Sequence, residues 1–204
     1  MTTDTRSPAE QDRTQARRTQ ILDAAADCFR MHGFHGASIA RISQAAAMSA
    51  GHIYHYFDNK EAIIAAIVAR DLEHLLSLTT GLRSAHDVLE AMLEAAAPGA
   101  EKNLEAGQAG LQLEIMAEAA RNPHVADIVR EADLSCRSNL AETLRVLRRA
   151  RGHDDDEHAL SARVEVIAAL FEGLMMRIIR NPALDREAVI RVFLSTLRDL
   201  LDQR

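Results

Sequence analysis

The sequence predicts an all-α protein of about nine helices, with an N-terminal three-helix unit holding a helix-turn-helix and a larger C-terminal helical domain. Three observations predict it. Apolar residues recur at spacings of three and four in segment after segment, the period of an amphipathic helix. Two short segments of this kind, residues 39–46 and 50–57, are separated by three residues ending in Ser49, a good helix cap. Between the longer segments stand Gly33, Gly81, Pro98-Gly99 and Asn122-Pro123, the residues that stop helices.

A chain of 204 residues buries about 70% of its unfolded surface on folding, so a core is available without staples. Two cysteines, Cys28 and Cys136, are too few for a disulfide framework or a zinc site. They read as small buried hydrophobes, with a redox-sensing thiol as the alternative. No run approaches 18 uninterrupted apolar residues and the N-terminus has no apolar core, so the expectation is a cytoplasmic protein without a membrane partner. The net charge of -6 is uneven: residues 1–60 hold seven Lys/Arg against six Asp/Glu, and residues 61–204 hold seventeen against twenty-four. The near-neutral first part can hold a nucleic acid only if specific contacts and dimerisation add to phosphate neutralisation.

In chain order, residues 1–12 are polar and are expected to form a disordered tail. Residues 13–60 form the first domain, and residues 61–204 the second. Helix 1 carries Ile21, Ala24, Ala25, Cys28 and Phe29 and should stop near Gly33. Five of the seven aromatics lie in the first 60 residues, as a small core requires. Asp58, with Glu61 three residues on, is expected to cap a long helix that reaches about residue 78. A further helix is expected from Asp87 to Pro98-Gly99, then a loop over 99–110, a helix over 111–120 and another over 125–151. The turn 152–158 reads GHDDDEH; neighbouring carboxylates in a turn seldom converge on one ion, so it is read as a solvated loop with no metal. The last two helices are apolar on more than one side. Val164, Ile167, Phe171, Leu174 and Ile178, with Phe193, Leu197 and Leu200, are expected to form a two-fold homodimer interface, a four-helix bundle.

The segment GFHGASIARISQAAAMSAGHIYHYFDNKEAI, residues 33–63, resembles the DNA-binding region of the TetR/AcrR family of bacterial transcriptional regulators. Residues 113–133 resemble the effector domain of its betaine-regulator branch. The resemblance implies a ligand-responsive regulator, most simply a repressor, that binds an inverted-repeat operator in double-stranded DNA as a dimer and is released by a small-molecule effector. Gly51 and His52 are placed at base edges, and Ser38, Ser49, Tyr54, His55 and Lys60 at phosphates. Tyr56 is divided between phosphate contact and core. Ala50 stands where the family often has lysine or arginine, so operator preference does not transfer. Arg13, Arg17 and Arg18 are either minor-groove contacts or an exposed helix start.

The effector, expected to be apolar, would sit among the helices after residue 80, lined by Met92, Gln112, Met116, Phe171 and Met175. No cofactor is implied. An enzyme is disfavoured because no nucleophile–base pair, phosphate-binding glycine loop or metal-spaced histidines stand out. A ligand-binding protein or an activator of the same fold remains the alternative.

Overall fold

The first helix, α1 (Pro8–Gly36), begins at a proline, which suits a first turn because the missing N–H has no intrahelical partner there. Residues 8–12, expected in the tail, are therefore helical. Residues 1–7 lie outside the residues described by this computed structural model, which covers 8–153 and 156–202. Ile21, Ala25, Cys28 and Phe29 form the buried face of α1. Gly33 kinks the helix at φ 67°, ψ 169°, a backbone region that side chains essentially exclude. The kink brings the Phe34 ring to 5.5 Å from that of Phe29.

Two short helices follow, α2 (Ile39–Ala45) and α3 (Ala50–Tyr56), and then the long α4 (Lys60–Leu82). The cap of α4 is Asn59, whose Oδ1 accepts from the Ala62 N–H at 2.7 Å; Asp58, the expected cap, stands one residue too early. Ile21, Phe29, Phe34, Ile42, Ile53, Phe57, Ile63 and Ile67 share one core, which Leu111, Ile115 and Val125 extend into the second half of the chain. The first two turns of α4 thus belong to the N-terminal helical unit, the head of the molecule, and the remainder runs along α7.

The next helix, α5 (Val88–Asn103), passes through Pro98 instead of ending there. Pro98 is exposed and costs one backbone bond, whereas Ala100 and Leu104 beyond it are fully buried. Burial outweighs the proline. Gly99 permits close packing: a Cβ there would stand 3.3 Å from the Phe171 ring. The loop expected over 99–110 shrinks accordingly, because α6 (Ala106–Ala119) starts three residues after α5 ends. The order closes with α7 (Pro123–Ala150), capped by Asn122, α8 (Glu157–Arg180), capped by Asp156, and α9 (Arg186–Asp202), whose first turn donates to Asp185 Oδ1. Among the described residues there are nine helices and no strand. Of the GHDDDEH turn, Asp154 and Asp155 lie outside the described residues; Glu157 accepts two hydrogen bonds from Arg145.

The second core contains Met92, Leu104, Leu144, Leu147 and Leu160 together with most of the residues expected at a dimer interface. Val164, Ile167, Leu174, Ile178, Phe193 and Leu197 are all buried within the chain, and Phe171 and Leu200 pack half-buried against the same cluster. This corrects the expected interface. A residue such as Leu197, 3% exposed, has almost no surface left to give to a second molecule. The face that α8 and α9 leave open carries Val166, Met176, Ile179 and Val192, the last 68% exposed.

Candidate nucleic-acid interface and ligand groove

Each helix of the helix-turn-helix is started by a serine cap. Ser38 Oγ accepts from the Arg41 N–H and Ser49 Oγ from the His52 N–H, both at 3.2 Å, which starts α2 and α3 at fixed residues. The turn between them is tight: Ala47 takes φ 51°, and the Met48 N–H reaches back to the Ser43 carbonyl at 2.9 Å. From α1, Gln20 Nε2 donates to the Ala46 carbonyl at 2.8 Å, satisfying an end of α2 that its own helix cannot. Ile53 and Phe57 point inward and are buried, which turns the opposite face of α3 outward.

That outward face holds Ala50, Gly51, His52, Tyr54 and His55, all exposed. Gly51 is informative because the chain itself does not require it. Its φ is not positive, and a Cβ there would meet only Ser49 Oγ at 4.0 Å. The space beside its Cα is open on the outward face. His52, His55 and Tyr56 form one aromatic patch, with His52–Tyr56 centroids 5.4 Å apart and His55–Tyr56 at 5.2 Å. Tyr56 is half-buried against the first core, and Tyr54 stands free. Lys60 differs from expectation: its Nζ donates to the Phe34 carbonyl at 2.6 Å and lies 4.3 Å from the Phe34 ring centroid. It ties α4 to the end of α1. Arg18 stacks on Phe57 at 4.6 Å and so braces the helix-turn-helix, Arg17 bonds to Gln20 on its own helix, and Arg13, Arg17 and Arg41 are exposed.

The head is joined to the second half along α1 and α6. At Gly33 a Cβ would meet Glu114 Oε2 at 3.2 Å. Two residues on, His35 Nε2 lies 3.1 Å from the buried carboxylate of Glu118, which also accepts from Asn122 at 3.1 Å and from Arg121 at 3.4 Å. A carboxylate this buried is retained because three neighbours supply donors.

Of the five residues expected to line an effector cavity, three share the second core and two lie outside it. Met92 is buried in the second core, and Phe171, T-shaped against Phe193 at 4.9 Å, packs beside it with Met175. Gln112 bonds to Asp71 on α4, and Met116 faces outward. Two open grooves lie elsewhere. A groove of ≈ 560 Å³ runs between α4 and α7, lined by Leu76, Thr80, Arg83, Leu134, Ser138 and Asn139 among others. A smaller one of ≈ 190 Å³ lies between α7 and α8 and shares Leu134 and Ser138 with it. The sequence carried a signal for the first groove: Ser135, Asn139 and Thr143 recur every four residues, a polar stripe along an otherwise amphipathic helix.

Residues 21–67 match the family described as bacterial regulatory proteins, tetR family. Residues 85–202 match the C-terminal domain of BetI-type transcriptional repressors. The chain belongs to the TetR family. Escherichia coli K12 UidR, an HTH-type transcriptional regulator, is 35% identical over 135 residues, 66% of this chain and 68% of UidR. Burkholderia mallei BetI, also an HTH-type transcriptional regulator, is 29% identical over 194 residues, 93% of each chain. Salmonella enterica GusR superposes with a TM-score of 0.74 at 28% identity, covering 91% of this chain and 93% of GusR. Bacillus subtilis FadR, solved in complex with stearoyl-CoA, has the same fold, with a TM-score of 0.72 at 18% identity over 91% of this chain and 98% of FadR. The protein is a DNA-binding transcriptional regulator, with a helix-turn-helix head and an all-α remainder. Among the described residues no helix is long and apolar enough to cross a membrane.

Proposed function

We propose that the protein is a ligand-responsive repressor that binds an inverted-repeat operator as a homodimer and leaves it when a small molecule binds its C-terminal half. The observation that carries this reading is the outward face of α3, where Gly51 leaves a gap that the chain does not need and His52 stands beside it. Gly51 admits a base edge or thymine methyl, and His52 offers a ring nitrogen to read it. Ser38, Ser49, Tyr54 and His55 flank that face at the positions of phosphate contacts.

The second copy packs on the open face of α8 and α9, through Val166, Met176, Ile179 and Val192. A two-fold arrangement sets the two α3 helices against half-sites about one helical turn apart, roughly 34 to 36 Å. Ligand response follows from α4, which belongs to the head's core at one end and lies along α7 at the other. A ligand that favours one position of α4 shifts operator affinity, typically by about 1 to 3 kcal/mol. The deciding experiment is selection of bound sequences from a random duplex pool at physiological salt. A two-fold symmetric site is the expected product; recovery of only non-specific sequences with the pure protein would overturn the reading.

A further inference from the structure

We infer that the groove between α4 and α7 is the seat of the effector and that it takes a small hydroxylated monocarboxylate, with the carboxylate on Arg83. This rests on the ligand-responsive reading above and departs from the apolar guest that the sequence led us to expect.

The argument starts from Arg83. It caps the end of α4 and its guanidinium turns into the groove, where Nε donates to Thr143 Oγ1 at 3.1 Å and Nη2 to the Asn139 carbonyl at 2.8 Å. Asn139 Oδ1 also accepts from Nη2, and Asn139 Nδ2 donates to Thr79 Oγ1. All these partners are neutral. Among the described residues no carboxylate forms an ion pair with Arg83, while Glu142, on the same groove wall, is engaged by Arg145 at 3.0 Å. The guanidinium is held in place with its charge uncompensated, and no hydrogen bond occupies Nη1 among the described residues.

A fixed, half-buried guanidinium with Nη1 free binds a carboxylate there better than a neutral group, because the hydrogen bonds Nη1 donates are charge-assisted and the geometry is already set. One cation with Glu142 nearby suits a single negative charge and disfavours a dianion. The rest of the wall defines the body of the guest. Thr80, Ser135 and Ser138 present hydroxyls, and Leu76 and Leu134 give two patches for a carbon skeleton. A volume of ≈ 560 Å³ lies within the range of small-molecule sites. The position also explains a response, since the guest bridges α4 and α7 and the other end of α4 is built into the reading head.

The test uses full-length protein with gluconate as probe and glucitol, its uncharged counterpart, as control, at matched ionic strength. Gluconate is expected to raise the thermal midpoint and to lower affinity for the selected operator by about 5- to 150-fold, with glucitol doing neither. Arg83→Gln should abolish both effects. Because Arg83 also holds Thr143 and Asn139, a second variant, Ser138→Phe, fills the groove from its exposed rim without touching that network and should abolish them too. An equal response to glucitol, an undiminished response in either variant, or no gluconate response at 50-fold above millimolar levels overturns the inference. Operator binding without gluconate separates the two readings: if it persists while gluconate does nothing, only the ligand assignment falls, and if it is absent the regulator reading falls with it.

Discussion

Replacing Gly33 by alanine tests how the reading head is joined to the rest of the chain. The residue sits at φ 67°, ψ 169°, where a Cβ is strained by about 1 to 3 kcal/mol whatever the space around it. The new Cβ would also stand 3.2 Å from Glu114 Oε2. That contact is with the far end of a flexible side chain, which yields by a few tenths of an ångström, so backbone strain dominates the expected loss. For a chain of 204 residues, each kcal/mol lowers the melting temperature by roughly 2 to 4 °C, giving a fall of about 2 to 12 °C. Urea unfolding followed by far-UV circular dichroism, at one protein concentration so that assembly contributes equally, measures the same loss directly. The double variant Gly33→Ala/Glu114→Ala removes the side-chain contact and keeps the strain, so it should remain nearly as destabilised. The kink also positions Phe34, whose carbonyl receives Lys60, so operator affinity should fall in parallel. A Gly33→Ala protein with an unchanged urea midpoint would refute the reasoning.

Three further outcomes are expected. His52→Ala should weaken specific binding by about 1 to 3 kcal/mol for each base pair it reads while leaving the circular dichroism spectrum unchanged; fluorescence anisotropy at fixed salt decides, and an unaltered operator affinity takes His52 out of the interface. Val166→Glu with Val192→Glu should produce a folded monomer in sedimentation velocity, whereas Leu197→Glu, which places a charge in the second core, should unfold the chain; dimers persisting in the first variant would move the interface elsewhere. Burial raises the thiol pKa of both Cys28 and Cys136, countered at Cys28 by Arg41 and reinforced at Cys136 by Asp133. Less thiolate is then present at neutral pH, so both should react with a disulfide reagent more slowly in the native protein than after denaturation, Cys28 slowest because it is also the more buried. Equal rates before and after unfolding would contradict this.

The sequence by itself determined what depends on neighbours along the chain. Helix caps, apolar spacing and the interval between α2 and α3 are local, so Ser38, Ser49, Ile42, Ile53 and the outward Gly51 and His52 were legible without coordinates. Local rules failed where distant packing outweighed them. The Pro98-Gly99 pair has the chemistry of a stop, yet α5 continues because Ala100 and Leu104 gain full burial and Gly99 lets Phe171 approach. Asp58 and Asn59 are equally good caps in sequence, and only the backbone path decides between them. The apolar seam of α8 and α9 was visible, but periodicity cannot say whether a seam faces its own chain or another. The fold sends Leu174 and Leu197 inward and leaves Val166 and Val192 outside. Arg83 lies roughly 60 residues from the Asn139 and Thr143 side chains that hold it. No rule of spacing joins residues so far apart, and the groove exists only because α4 and α7 pack side by side.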